Sequence, residues 1–104
     1  MKVCSREIFG PVVTLEKYAN YDEALHVMNN SEYGLQAGVF TNKMNEMNQA
    51  FHQLDTGGVI INDVPTFRVD HMPYGGIKNS GFGREGIKYA ISEMTEPKVL
   101  VKNI

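Results

Sequence analysis

At 104 residues the chain is long enough for one domain with a core and too short for two. A formal charge of −2, with ten Lys and Arg residues scattered in no run or stripe, gives no electrostatic case for nucleic acid or an anionic membrane. No stretch approaches the ~20 apolar residues that span a bilayer, and the polar opening Met1-Lys2-Val3-Cys4-Ser5-Arg6-Glu7 is unlike a signal peptide, so cytoplasm is the default expectation.

In chain order, residues 12–15 are apolar and β-branched behind Pro11, which predicts a first strand. Asn20 is placed to cap a helix over residues 21–28, with Ala24, Leu25 and Met28 at helical spacing. Asn30, Ser31 and Gly34 break it, and residues 36–41 read as a second strand. Thr41 or Asn42 then caps a helix over 43–54, whose apolar stripe is Met44, Met47, Ala50, Phe51 and Leu54. Gly57 and Gly58 stop that helix, and Val59-Ile60-Ile61 reads as a strand buried on both faces. The order strand, helix, strand, helix, strand argues for an α/β fold with a mainly parallel sheet and flanking helices. Residues 63–84 form a long Gly-, Pro-, Asn- and Asp-rich segment with no period, the kind of loop that is functional or braced from outside. A short helix over 85–94 follows, Pro97 ends it, and Val99-Leu100-Val101 reads as a final strand with an edge to offer.

The patterns that suggest chemistry are few. Gly81-Phe82-Gly83-Arg84-Glu85-Gly86 is a literal G-x-G-x-x-G. A dinucleotide site of that type needs a strand directly before it and an acidic residue about 20 positions later. Loop precedes it and the chain stops at Ile104, so a tight turn into a helix is the plainer reading. The lone Cys4 excludes an internal disulfide; it lies beside Lys2 and Arg6 with no base nearby, which favours a small apolar residue over a nucleophile. His26, His52 and His71 have no metal-ligand spacing, so no metal is expected. Asn29-Asn30-Ser31 fits a glycosylation acceptor only as a permissive three-residue pattern. Glu7 taken alone is either a solvated surface charge or an acceptor for sugar hydroxyls at the mouth of a strand, with Phe9 beside it for a planar ring.

Three segments, in order and at matching intervals, carry a resemblance. Glu7-Ile8-Phe9-Gly10-Pro11-Val12-Val13 resembles the E-x-F-G-P-V signature of the aldehyde dehydrogenase superfamily. Tyr33-Gly34-Leu35-Gln36-Ala37-Gly38-Val39-Phe40-Thr41 is similar to its Y-G-L-x-A-G-V-F-T strand. Pro73-Tyr74-Gly75-Gly76-Ile77-Lys78-Asn79-Ser80-Gly81-Phe82-Gly83-Arg84-Glu85-Gly86 resembles its P-F-G-G-x-K-x-S-G-x-G-R-E-x-G loop, and Lys98-Val99-Leu100-Val101 is similar to its usual ending.

The resemblance implies an enzyme that oxidises aldehydes to acids through a cysteine thiohemiacetal, hydride transfer to NAD or NADP, and hydrolysis assisted by a glutamate. It implies that residues 1–94 are part of the α/β catalytic domain and 95–104 an oligomerisation strand. By the same resemblance Glu7 binds the nicotinamide ribose hydroxyls and Phe9 packs near the nicotinamide. Asn62 closes the strand beside the active site, and Phe67 and Tyr74 line the aldehyde pocket. Tyr74 stands where Phe is commoner, which either puts a hydroxyl into the pocket or turns it outward. Gly75, Gly76, Gly81 and Gly83 read as backbone devices. No residue here corresponds to the nucleophile, the general-base glutamate or the cofactor domain, so no catalytic residue is assigned. The expectation is a dehydrogenase part that is inert alone and binds no NAD or NADP by itself. The alternative is an oligomerisation module, pairing with itself or with full-length subunits through the terminal strand and exposed apolar surface. A free-standing nucleotide-binding domain built on Gly81 to Gly86 is the weakest of the three readings.

Overall fold

The computed structural model describes residues 6–104, so Cys4 lies outside the described residues. Helix α1 (Tyr21–Asn29) begins where Asn20, in extended conformation, accepts the Glu23 backbone N–H on its side chain at 2.9 Å. Glu23 returns its own carboxylate to the Ala19 N–H at 2.7 Å, so two donors at the helix start are satisfied. Two short strands follow, β1 (Tyr33–Gly34) and β2 (Gln36–Val39), then helix α2 (Met44–Gln53) and strand β3 (Gly58–Ile61). Strand β4 (Ile77–Lys78) and helix α3 (Ile87–Glu93) complete the order.

The α/β character is present, but parallel pairing is confined to β2 and β3, in register Gln36 to Gly58 through Val39 to Ile61. Strand β4 instead pairs antiparallel with β1, Tyr33 opposite Lys78 and Gly34 opposite Ile77. The expected long irregular segment therefore contains a strand, and an isolated bridge joins Tyr74 to Glu85. Two-residue strands paired across more than 40 positions leave no periodic trace in the sequence.

Leu25 from α1, Ala37 and Val39 from β2, Ala50 from α2 and Leu54 form the buried core, with Tyr21, Val59 and Ile61 packed against it. Asn29 ties the helices together, donating from its amide to the Gln53 carbonyl at 2.6 Å and accepting from the Asp55 N–H at 2.8 Å. That engagement, not a glycan, is the role the fold gives the Asn29 side chain.

Several expected features are absent among the described residues. Residues 12–15 and 99–101 are exposed and form no strand among the described residues; an extended run becomes a strand only when a neighbour takes its hydrogen bonds. Strand β3 is half-buried along its length and not enclosed on both faces. Met44 and Phe51 of the expected α2 stripe face outward, since the core covers only the Ala50 and Leu54 side of the helix. Neither Thr41 nor Asn42 caps α2: Lys43 is the cap residue, without a side-chain bond. Thr41 acts one step earlier, its hydroxyl accepting from the Lys43 N–H at 3.2 Å and donating to the Glu46 carboxylate. The helix ends at Gln53 with Leu54 extended, so the glycines do not supply a left-handed stop. Gly57 serves close approach instead: a Cβ there would lie 1.7 Å from the Gly75 carbonyl oxygen. Helix α3 starts two residues later than expected, after Gly86 at φ 118°.

The resulting shape is elongated, 68 × 33 × 22 Å with a radius of gyration of 18.2 Å, against about 13 Å for a compact chain of this length.

Candidate active site

In open α/β sheets, ligands collect beyond the carboxyl ends of parallel strands. Here those ends are Val39 and Ile61, and Asn62 joins them. Its N–H donates to the Val39 carbonyl at 2.8 Å, and its side-chain oxygen accepts from the Thr41 N–H at 2.9 Å. Asn62 holds φ 59°, a left-handed conformation that Asn tolerates better than most residues, and this turns the chain out of the sheet.

The loop that follows folds back along β2. Gly38 lets it pass, because a Cβ there would meet the Asp63 carbonyl oxygen at 2.7 Å. The Gln36 amide then donates to the Phe67 carbonyl at 2.9 Å, fastening the middle of the loop to the sheet. The oxygen of that side chain, Gln36 Oε1, is buried without a partner among the described residues. Phe67 itself is half exposed. The far end of the loop is held through Arg68, whose guanidinium lies 4.7 Å from the centroid of the Tyr74 ring and whose Nη2 is 2.9 Å from the Glu85 carboxylate. Tyr74 and Glu85 also pair through their backbones, the Tyr74 N–H donating to the Glu85 carbonyl at 3.1 Å. The ring of Tyr74 is thus a platform for a cation.

Glu7 borders a cleft of 530 Å³ with Ser31, Tyr33, Gln36 and Ser80. Phe9 is 96 % exposed, so its ring packs on nothing in this chain and offers both faces. The Arg68 guanidinium lies over the Tyr74 ring, with no contact between Phe67 and Tyr74 among the described residues; neither aromatic lines the Glu7 cleft, nor does Asn62 at the strand end. Phe9 does not line the cleft that Glu7 borders. The Gly81 to Gly86 segment does not supply the phosphate end: β4 before it is antiparallel, and α3 after it has seven residues. Arg84, the cation within that segment, donates to the Gly76 and Gly83 carbonyls at 3.2 and 2.7 Å.

Sequence reasoning missed Gln36, Arg68, Lys78 and Ser80. Lys78, at φ 55°, sets its ammonium against the Asn29 and Ser31 carbonyls at 2.9 and 3.2 Å, a cation on the carboxyl end of α1. Ser80 accepts the Gly34 N–H at 2.9 Å. The quoted loop motif contained these two residues as signal, and Arg68 stands between two expected pocket aromatics. Nothing local marked Gln36. Of the glycines expected as backbone devices, Gly75, Gly81 and Gly83 hold positive φ, and Gly76 is pressed against Ser80.

Displaced proton affinities cluster on the helices. The Lys43 ammonium and the Thr41 hydroxyl hold the Glu46 carboxyl below its ordinary range, and Lys43 is raised in return. Burial, aided by the charges of Glu46 and Tyr18, pushes the Tyr21 phenol up. Among the described residues no cluster of His, Cys, Asp and Glu could hold a metal ion, and no helix is long and apolar enough to cross a membrane.

The sequence pattern of the family described as "Aldehyde dehydrogenase family" matches residues 1–100. The chain is 52 % identical over 104 residues to the 3-sulfolactaldehyde dehydrogenase of Priestia aryabhattai, covering all of this chain and 22 % of that protein. To the lactaldehyde dehydrogenase of Methanococcus maripaludis it is 55 % identical over 95 residues, 91 % of this chain and 20 % of that one. Among solved structures, aldehyde dehydrogenase 21 from Physcomitrella patens, in complex with the reaction product succinate, superposes with a TM-score of 0.89 at 54 % identity, over 94 % of this chain and 20 % of that one. Glyceraldehyde-3-phosphate dehydrogenase GapN from Methanocaldococcus jannaschii, complexed with NADP, superposes with a TM-score of 0.70 at 49 % identity, over 73 % of this chain and 17 % of that one. The chain therefore spans about a fifth of the length of the curated relatives it matches.

Proposed function

The chain belongs to the aldehyde dehydrogenase family, and from that premise we propose that it is the part of an NAD(P)-dependent aldehyde oxidoreductase that grips the nicotinamide end of the cofactor and walls the aldehyde pocket. The observation that supports this reading is the family match across residues 1–100, beside a loop from Asn62 onward that is fastened to the sheet through Thr41 and Gln36. The dinucleotide supplies the hydride acceptor when bound. The Glu7 carboxylate accepts hydrogen bonds from the ribose hydroxyls, and Phe9 gives the planar ring a face to rest on. Phe67 and Tyr74 exclude water from the aldehyde, and Asn62 fixes the strand end from which their loop departs. Rate acceleration also needs an activated nucleophile and a positioned base, which no residue of this sequence matches, so the 104-residue chain alone turns over no aldehyde.

The relatives' names support a short aldehyde with a polar or anionic substituent. Sulfolactaldehyde bears a sulfonate, the succinate complex holds a dicarboxylate, and lactaldehyde bears a hydroxyl. The test is Glu7→Gln in the enzyme that carries this chain together with its cofactor domain. The KM for NAD(P) is expected to rise about tenfold, the value of one hydrogen bond to a charged group, with a much smaller change in the KM for aldehyde. An unmoved dinucleotide KM refutes the ribose role.

A second reading, association, rests on uncovered surface. The chain exposes 8979 Å², whereas a compact domain of its mass exposes about 5,900 Å². The excess of about 3,000 Å² is in the range of obligate interfaces. Val99, Leu100 and Val101 lie within it, as do Val13 and Leu15. Pairing with another copy or with complete dehydrogenase subunits would cover it, and sedimentation of the purified chain over a concentration series checks this.

A further inference from the structure

Resting on the reading of the chain as an aldehyde-pocket wall, we propose that Gln36 is a positioning residue for the aldehyde, setting the distance between the sheet and the loop that carries Phe67. Strand β2 turns Ala37 and Val39 into the core, together with Val59 and Ile61 of β3. Strand alternation then puts Gln36 and Gly38, with Gly58 and Ile60 of β3, on the opposite face. The chain after Asn62 runs back across that face. Gly38 admits it closely, since a Cβ there would meet the Asp63 carbonyl oxygen at 2.7 Å and Pro65 Cδ at 3.1 Å. Earlier along β2, Gln36 Nε2 donates to the Phe67 carbonyl at 2.9 Å. Gly58, opposite Gln36, leaves room for that side chain: a Cβ would stand 3.4 Å from its Cγ and Nε2. The loop thus rests on bare backbone at Gly38 and hangs on a side-chain amide at Gln36.

Between Asn62 and Arg68 this is the one hydrogen bond from the loop to the sheet among the described residues; Val64 and Thr66 donate only within the loop. Without it the loop samples positions off the sheet. Only the fraction lying on the sheet presents Phe67 at the pocket wall, and apparent affinity for the aldehyde falls by that fraction. The cost of the residue argues for the same role. Gln36 Oε1 is buried with no partner among the described residues, and an unpaired buried acceptor destabilises a fold by as much as one neutral hydrogen bond stabilises it, or more. Methionine would fill the same space with neither polar atom. Glutamine at this place is therefore explained by what its amide holds, the main chain of Phe67. Gln36 also borders the Glu7 cleft, and a replacement of equal length keeps that wall.

The experiment measures kcat and KM for propanal, benzaldehyde and NAD(P) in the enzyme that carries this chain with its cofactor domain, beside the urea midpoint of the 104-residue chain. Gln36→Met keeps the length of the side chain and removes both polar atoms. Its KM for propanal is expected to rise roughly three- to tenfold, the range of one neutral hydrogen bond, with kcat and the KM for NAD(P) little changed. Benzaldehyde, which fills a wider pocket, loses less. Gln36→Glu sets an acceptor oxygen against the Phe67 carbonyl and raises the propanal KM further. The urea midpoint of Gln36→Met stays level or rises, because the unpaired oxygen leaves with the bond; a merely structural brace would lower it. A propanal KM unmoved in Gln36→Met overturns the assignment, as does a KM for NAD(P) that rises with it while the midpoint falls. An unmodified enzyme that oxidises neither aldehyde overturns the proposed function, and this assignment with it.

Discussion

Substituting Gly57 by Ala tests how the turn after α2 fits against the pocket loop. A Cβ at Gly57 would stand 1.7 Å from the Gly75 carbonyl oxygen, 2.8 Å from its carbon and 2.9 Å from the Leu35 carbonyl oxygen. All three are backbone atoms, so no side chain can swing away. Restoring an ordinary separation requires the 74–76 segment to move by more than about 1 Å, an overpacking cost of ~1–3 kcal/mol. The same movement strains the Gly57 N–H bond to the Gly34 carbonyl, now 3.0 Å, worth about 1 kcal/mol. The sum is about 3 kcal/mol, a large part of what holds a domain of this size together. Followed by circular dichroism in urea, the Gly57→Ala midpoint is expected to drop by roughly 1.5 M, taking an m-value of about 2 kcal/mol/M. Gly10→Ala is the control, because nothing lies within 4 Å of a Cβ there, and its effect should stay within about 0.5 kcal/mol. Equal midpoints for the two variants would refute the close-approach argument.

Glu46→Gln should flatten the acid side of the stability profile. The folded pKa of Glu46 is lowered, so its contribution is present above the unfolded carboxylate value and lost as pH falls through the folded one. Urea titrations through the acid range check this, and added salt should shrink the difference. Tyr21 has the opposite sign. Its folded pKa is raised by burial, so its contribution is present below the ordinary phenol value and is lost as pH rises through the folded pKa. Tyr21→Phe removes that alkaline loss, and it costs about 1 kcal/mol at neutral pH through the missing 2.7 Å bond to the Glu46 carbonyl. Leu100→Asp places a charge in the exposed terminal segment and is expected to shift the purified chain toward monomer in sedimentation. An unaltered distribution would exclude residues 99–101 as the contact.

Elements that pack within the chain were legible, because their periodicity is imposed by contacts the sequence itself supplies. Asn20 and the Leu25 side of α1, the Ala50 and Leu54 side of α2, and β2 with β3 are of this kind. Runs 12–15 and 99–101 carry strand-like residues, yet a strand is a property of a pair and neither run pairs with a neighbour among the described residues. Strand β4 was invisible for the converse reason: Ile77 and Lys78 gain their conformation from Tyr33 and Gly34, with no pattern of their own. Asn62, Phe67 and Tyr74 were expected at the site through family resemblance and not through local chemistry. Gln36 and Arg68 act across 31 and 17 positions, on the Phe67 carbonyl and the Glu85 carboxylate, and only the folded loop reveals the connection.

The measurement closest to the central claim is NAD(P)-linked oxidation of a short aldehyde by the purified 104-residue chain, followed by absorbance of the reduced nicotinamide. No reduced cofactor is predicted at any chain concentration, since no residue of the 104 matches the family's nucleophile or general base. Reduced nicotinamide formed in proportion to the amount of chain would contradict it.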